Sequence, residues 1–349
     1  MQKINTALLS FGMSGQVFHA PFLHVHEGFH LHSVWERRKN LAEEKYPGTK
    51  TYRTLEELLA DRDTELVIVN TPNYTHYEYT KKALLAGKHV VVEKPFTVTV
   101  EEGEELAALA GQQNKKLSVY HNRRFDSDYR TLRQVVQEGW LGNIVEAEFH
   151  YDRYKEDLSY KVHKETPGPG TGALYDLGSH LIDQALQLFG MPEKLFADIQ
   201  IVRPLSKVDD YFELLLYYPN LRVRLRCSYL VREALPGYVL HGTKGSFIKP
   251  KTDVQEEALQ SGALPGSADW GTEPSSQQGL LHTEKDGKLI REHIPSLRGN
   301  YMDYYEAIYQ SIRHNAPLPV TAPEALNVIR LIAAAFVSSR EGRVVNGEW

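Results

Sequence analysis

Ile4-Asn5-Thr6-Ala7-Leu8-Leu9-Ser10-Phe11-Gly12-Met13-Ser14-Gly15 runs from an apolar stretch straight into a glycine-bearing turn. A buried strand that ends on glycines and passes into a helix is how a dinucleotide-binding sheet begins, with G-x-G-x-x-G in the turn. Ser10 stands at the first glycine position. Gly12 and Gly15 hold the two where backbone approaches a pyrophosphate and where helix packs on strand. Ser10, Gly12, Met13, Ser14 and Gly15 are therefore read as a cofactor loop, and the pattern gains weight from its place between strand and helix.

The chain beyond the turn keeps the same rhythm. Phe29 to Trp35, Leu66 to Asn70, His89 to Val92 and Leu117 to Tyr120 read as further strands, separated by helical patterns up to about Tyr46, over Leu55 to Ala60, over Tyr74 to Ala86 and over Glu101 to Gln113. Apolar runs alternating with helices predict a parallel, doubly wound sheet over residues 1–121. After about residue 122 the texture changes. A helix over Asp128 to Glu138 leads into period-two segments, Ile144 to Tyr151, Lys194 to Arg203, Tyr211 to Tyr218, Leu221 to Leu230 and Gly237 to Leu240, and two helices close the chain at about Tyr301 to His314 and Ala322 to Ser339. Residues 122–349 thus predict an α+β unit with a large, mainly antiparallel open sheet. Ser261 to Gly279, rich in Gly, Pro and Ser and holding Trp270, predicts a flexible lid.

Composition narrows the possibilities. At 349 residues there is length for two cores, and a net charge of -5 argues against nucleic acid or a basic membrane surface as partner. A single cysteine, Cys227, excludes an internal disulfide, no apolar run approaches membrane-span length, and the amino terminus lacks a signal peptide's features. A cytoplasmic setting is the expectation. Arg222, Arg224 and Arg226 share one strand face, as a solvated or subunit-contact face would carry them. His19, His24, His26, His30 and His32 have no metal-ligand spacing, and no metal is expected.

Three places carry chemistry. After the second strand, Trp35-Glu36-Arg37-Arg38 offers an acid for the ribose hydroxyls of NAD and arginines for the 2'-phosphate of NADP, so cofactor choice stays open. Asn70-Thr71-Pro72-Asn73 and Glu93-Lys94-Pro95 follow the fourth and fifth strands, at the carboxyl edge where open parallel sheets bind ligands. A lysine at the end of a buried strand must have its charge satisfied there, which makes Lys94 a functional candidate, and Pro95 permits a cis bond. In the second half, Asp176 and His180 lie four apart in Gly172-Ala173-Leu174-Tyr175-Asp176-Leu177-Gly178-Ser179-His180-Leu181-Ile182-Asp183-Gln184, a buried-helix pattern that puts both on one face. A carboxylate beside an imidazole makes a general base near neutral pH, although a solvated helix face carries such pairs too.

With these pieces in place, the chain resembles the glucose-fructose oxidoreductase, inositol dehydrogenase and rhizopine-catabolism (Gfo/Idh/MocA) family over essentially its whole length. Glu93-Lys94-Pro95 looks like the family's E-K-P signature, and Asp176 with His180 like its D-x-x-x-H pair. Val17 to Pro21, Ser118 to Phe125 and Tyr175 to Gln184 are similar to the branch holding NADP-dependent scyllo-inositol dehydrogenases, though Glu36 stands where that branch carries a serine. The resemblance implies an NAD(P)-dependent oxidoreductase moving hydride between nicotinamide and a secondary alcohol of a cyclic polyol or sugar. It also implies a homodimer or homotetramer formed through the second sheet. By the same resemblance Lys94 hydrogen-bonds the reacting hydroxyl, His180 takes its proton, and Asp176 positions the imidazole or binds a neighbouring hydroxyl. Thr71, Pro72, Asn73 and His76 would line the cofactor and Glu93 would reach its ribose, while Asn122, Arg123, Arg124, Tyr154 and Trp270 would line the sugar or nicotinamide. A keto- or anhydro-sugar reductase and a non-catalytic NAD(P)-binding regulator are the alternatives.

Overall fold

The computed structural model describes residues 2–347 and Trp349. Two compact units emerge. The first holds the chain up to Asn122 together with Val254–Trp270 and Asn300–Leu326; the second holds Arg123–Asp253, Gly271–Gly299 and the chain from Asn327 onward.

In the first unit β1 (Ile4–Leu8), β2 (Phe29–Trp35), β3 (Lys50–Tyr52), β4 (Leu66–Val69), β5 (His89–Glu93) and β6 (Leu117–Tyr120) form a parallel sheet in the order β3-β2-β1-β4-β5-β6. The order reverses between β1 and β4, and a crevice opens outside the carboxyl ends of strands at such a point. Leu66, Val67, Ile68 and Val69 are all buried, as strands covered by helices on both faces require. The crossover helices are α1 (Ala20–Val25), α2 (Leu41–Lys45), α3 (Leu55–Ala60), α4 (His76–Leu85) and α5 (Val100–Gln112). Capping boxes start two of them, Thr54 with Glu57 at α3 and Thr99 with Glu102 at α5.

The second unit contains α6 (Ser127–Gln137), β7 (Ile144–His150), α7 (Val162–Glu165), α8 (Ser179–Phe189), β8 (Lys194–Gln200), β9 (Tyr211–Tyr217), β10 (Arg222–Ser228), β11 (Tyr238–Gly242), β12 (Gly245–Lys249), β13 (Gly279–Lys285), β14 (Lys288–Ile294) and β15 (Val345–Asn346). Its sheet runs β14-β13-β12-β11-β7-β10-β9-β8-β15, antiparallel except for the β7–β10 pair. Phe149, Phe212, Leu214, Leu225, Tyr238 and Phe247 are buried on one face, while on the other Arg224 bonds Glu146 and Glu148 across β7.

The compact units are not contiguous along the chain. Two segments return to the first unit: α9 (Val254–Gln260) with the chain to Trp270, and α10 (Met302–His314). The reason is aromatic. Tyr301, Tyr304 and Tyr305 are buried, Tyr305 stacks on Phe22 with centroids 5.3 Å apart, and Tyr304 meets Tyr120 edge-on at 4.9 Å.

The expected lid also differs. Trp270 is 5% exposed, packs edge-on against Phe22, and donates to Gln255 Oε1 at 3.1 Å, so it anchors the first unit rather than tipping a mobile loop. The last helix, α11 (Ala322–Glu341), is 20 residues long and contains an 18-residue window with a mean hydropathy of 1.2, which departs from the expectation of no span-length run. Half of that apolar window is buried, and Ser338 accepts from the Ala197 amide at 2.9 Å, as in a core helix.

Candidate active site

In the first unit the turn after β1 is held by one side chain. Asn70 accepts from the Ser10 amide at 3.0 Å and donates to the Ser10 carbonyl at 2.8 Å, so the chain after β4 is stitched to the glycine turn. A side chain at Gly15 would place its Cβ 2.3 Å from the Ser10 carbonyl oxygen, which only glycine avoids. Gln16 then bonds back to the Gly12 carbonyl at 3.0 Å, and a π-helical turn follows over Gly15–His19. Such a turn, with Met13 exposed beside it, fits the backbone cradle a dinucleotide's pyrophosphate needs.

Glu36 is 8% exposed, and its two carboxylate oxygens accept from the Leu41 and Ala42 amides at 3.3 and 3.1 Å. Its charge therefore sits at the amino end of α2. Arg37 and Arg38 are exposed.

Thr71, Pro72 and Asn73 are half-buried after β4. His76 is fully buried. Its Nδ1 lies 2.8 Å from the Pro95 carbonyl and its Nε2 2.9 Å from the Thr71 carbonyl, so it fastens together the segments that follow β4 and β5. Burial pushes its pKa down. The Lys94–Pro95 bond is cis, and Lys94 is half-buried. Glu93 turns inward: Ser14 Oγ donates to Oε1 at 2.6 Å and the Lys94 amide to Oε2 at 3.2 Å. Asn122 is buried at the end of the unit's first segment.

In the second unit Asp176 lies in a π-helical turn, Leu174–Gly178, and His180 in the first turn of α8. The expected α-helix thus starts later than its periodicity suggested, and π-turns are frequent at functional sites. The turn is fixed from below. Gly172 has φ +100°, the Leu174 amide donates to Asp209 Oδ2 at 2.8 Å, and burial lifts Asp209 to about 6 despite the amides it accepts. His180 is 5% exposed with its ring 6.4 Å from that of Tyr151. The Asp176 carboxylate accepts from Lys164 Nζ at 2.7 Å, and the Arg153 guanidinium lies close enough to feel its charge. Lys164 rides on α7, whose Glu165 is gripped at 3.1 Å by the buried Arg203, itself 2.8 Å from Asp210.

The remaining sequence candidates fall elsewhere. Arg124 is buried in a bidentate pair with Asp183, at 2.8 and 2.6 Å, which locks the segment before α6 to α8. Arg123 is buried too, paired with Asp126 and Asp253. Tyr154 is exposed beneath the Arg232 guanidinium, 3.9 Å from the ring centroid. Of the histidines set aside as ligands, His32 stands with Asp61 and Asp63, their ligand atoms within 4.8 Å. The Lys50 ammonium, 3.4 Å from His32 and 3.8 Å from Asp61, already supplies that cluster with a cation.

A cavity of about 460 Å³ in the second unit, lined by His150, Tyr151, Asp152, Leu235, Lys251 and Gln277, went unread in the sequence. Lys251 lies over the Tyr151 ring at 4.9 Å; burial lowers its pKa, but Asp128 at 3.3 Å and the neighbouring tyrosines lift it above the lysine range. The signal was available. Lys251 follows β12 and Pro250, a strand-end lysine like Lys94.

A doubly wound sheet with a stitched glycine turn, and a second unit carrying a buried histidine beside a paired carboxylate, define a dinucleotide-dependent dehydrogenase or reductase acting on CH–OH groups. The chain belongs to the Gfo/Idh/MocA oxidoreductase family: residues 4–121 match its NAD-binding Rossmann fold and residues 133–346 its C-terminal alpha/beta domain. It is 42% identical over 345 residues to the scyllo-inositol 2-dehydrogenase (NADP(+)) IolW of Bacillus subtilis, covering 99% of this chain and 96% of that one. Among solved structures, an oxidoreductase from Bacteroides fragilis superposes with a TM-score of 0.92 at 47% identity, covering 99% of this chain and all of that one. The oxidoreductase yvaA of Bacillus subtilis reaches 0.96 at 42%, covering 99% of each chain. The cofactor is NAD or NADP.

Proposed function

We propose that this chain is an NADP-preferring dehydrogenase of a cyclic polyol of the inositol type, cytoplasmic and assembled as a homodimer or homotetramer through its open sheet. The observation that carries the reaction is His180, a buried imidazole just past a carboxylate, Asp176, that Lys164 keeps paired. Imidazole has an ordinary pKa of about 6.5 and suits a proton acceptor at mildly alkaline pH. His180 takes the hydroxyl proton, the Lys94 ammonium holds the charge that develops on that oxygen, and Asp176 accepts a hydrogen bond from a neighbouring hydroxyl. The nicotinamide, when bound, accepts the hydride. The preference for the 2'-phosphate is supported by Glu36, whose carboxylate serves α2, and by the exposed Arg37 and Arg38.

The test is reduction of NAD and NADP against a panel of inositols and aldoses, with Lys94→Ala alongside. Turnover of an inositol with NADP, cut about 10²- to 10³-fold in Lys94→Ala with cofactor binding kept, is the expected result. Wild-type protein that binds cofactor tightly yet oxidises nothing in the panel would refute it.

A further inference from the structure

The loop that carries the two arginines proposed for the 2'-phosphate is itself held by a third. Glu36 to Asn40 joins β2 to α2, and Arg37, Arg38, Lys39 and Asn40 are all exposed. An exposed stretch of this kind, with no sheet partner, would sample many shapes. Arg53, the first residue after β3, reaches across to it. Its Nη1 donates to the Glu36 carbonyl at 2.8 Å and to the Lys39 carbonyl at 2.7 Å, and its Nη2 donates to Asn40 Oδ1. The two carbonyls bracket Arg37 and Arg38, so one guanidinium closes the chain around that pair.

Arg53 is fixed at its own backbone in turn. Its amide donates to Glu57 Oε2 at 3.3 Å, the carboxylate of the capping box that starts α3. Its carbonyl accepts from the Trp35 indole nitrogen at 3.1 Å, and one residue earlier the Tyr52 carbonyl accepts from the Glu36 amide at 3.1 Å. The far end of the loop shows an exchange of roles. Asn40 occupies the N-cap of α2, where its side chain would ordinarily accept from a helix amide, yet it makes no such bond. Glu36 takes the Leu41 and Ala42 amides instead, and the Asn40 oxygen serves Arg53. The acid that could meet the ribose hydroxyls of NAD thus caps a helix, and the amide that could cap the helix anchors an arginine.

We propose that Arg53 is a positioning residue that sets the cofactor preference of this chain by holding Arg37 and Arg38 in place for a 2'-phosphate. The inference rests on the reading of those two arginines as the partners of that phosphate. A planar fork suits the task, because it meets three acceptors from one fixed geometry, where an ammonium on a flexible stem would not. With the backbone already ordered, binding a phosphate fixes only the two arginine side chains. Without Arg53 it must order the loop as well, and that cost falls on NADP alone, because NAD has no 2'-phosphate to bring the loop into contact.

Titration calorimetry of the cofactor-free protein with NADP and with NAD tests this. Wild type should bind NADP more tightly. Arg53→Met should weaken NADP about tenfold and leave NAD within about twofold. Arg53→Lys keeps the charge and loses the fork, so its NADP affinity should fall nearly as far. Full NADP affinity in Arg53→Lys would mean that charge alone matters and would overturn the positioning role. An unchanged ratio of the two affinities in Arg53→Met, whether both hold or both fall, would overturn it as well. If that variant does not fold, Asn40→Ala removes one of the three anchors and should move the ratio about threefold in the same direction, and an unmoved ratio there counts equally against the proposal. A wild type that prefers NAD would refute the NADP reading and this inference with it. A preference for NADP kept intact in every variant would refute the inference alone.

Discussion

Glu93→Gln should make the protein lose stability at neutral pH and keep it in acid. The Glu93 carboxylate is held at about 2 against an ordinary 4.5, so burial, which alone would raise it, is outweighed by His19, Ser14 and Lys94. The side chain is 15% exposed, so screening by solvent is modest. A carboxylate depressed in the folded state contributes stability that is fully present above its unfolded pKa and is lost as pH falls through the folded one. At about 1.4 kcal/mol per unit, a shift of two to three units corresponds to about 3 kcal/mol at pH 7. The assay is urea unfolding of wild type and variant at stepped pH, compared at constant m value. The difference between the two proteins should be near its full size at pH 6, shrink from about pH 4.5 downward, and be nearly gone by about pH 2. Subtracting the variant removes every other group that titrates in acid. A difference that stays flat through that window, or one below about 1 kcal/mol at pH 7, would refute the account of Glu93 as an ionised anchor between the glycine turn and the lysine.

Three further outcomes follow from single sites. Arg37→Ala with Arg38→Ala should weaken NADP binding about 10²- to 10⁴-fold by titration calorimetry while leaving NAD nearly unchanged, since each charge-assisted bond to phosphate is worth about 1.5–3 kcal/mol. Lys249→Met should cost about 3–5 kcal/mol in thermal or urea unfolding, because Lys249 and Glu273 are both fully buried and 2.6 Å apart, and the double variant Lys249→Met with Glu273→Leu should recover most of the loss. Gly172→Ala puts a Cβ 1.8 Å from Asp209 Oδ1 at a φ of +100°, so unfolding assays should show a loss above about 2 kcal/mol, with a parallel fall in activity as the turn carrying Asp176 shifts.

Much of this fold was legible because the first half obeys local rules. Strands such as Leu66–Val69 are apolar without interruption, two of the helices between them start at Thr-x-x-Glu boxes, and the glycine turn has a fixed place after β1. The second half was read less completely, and in part by oversight. Asp286 and Gly287, both at positive φ (51° and 72°), form the two-residue turn of the β13–β14 hairpin, and an Asp-Gly pair between alternating segments is among the strongest hairpin signals a sequence offers. Other features could not be read locally at all. That α10 leaves the second half to pack on the first follows from Phe22 and Tyr120 meeting Tyr301, Tyr304 and Tyr305 across 184 to 283 positions of chain, and nothing in either segment alone predicts the partner.

Individual roles were harder to read than positions, and the charged residues show why. Glu36 is expected near the chemistry from its place after β2, and Arg124 and Trp270 from the family resemblance; all three are buried, on the amides of α2, on Asp183 and against Phe22. Sequence reports that a polar group sits near an edge, whereas only coordinates report which partner has taken its hydrogen-bonding capacity, and a buried group must have one. The same rule works in reverse for lysines at strand ends. Lys94 after β5 was noticed because a buried strand cannot close on an unsatisfied ammonium; Lys251 after β12 obeys the same argument and finds Asp128 and the face of Tyr151. Applied evenly, that argument would have marked the cavity beside Tyr151 from the sequence. His19 is different in kind: its two partners, Tyr305 and Glu93, come from α10 and β5, and nothing in the sequence around the glycine turn names either of them.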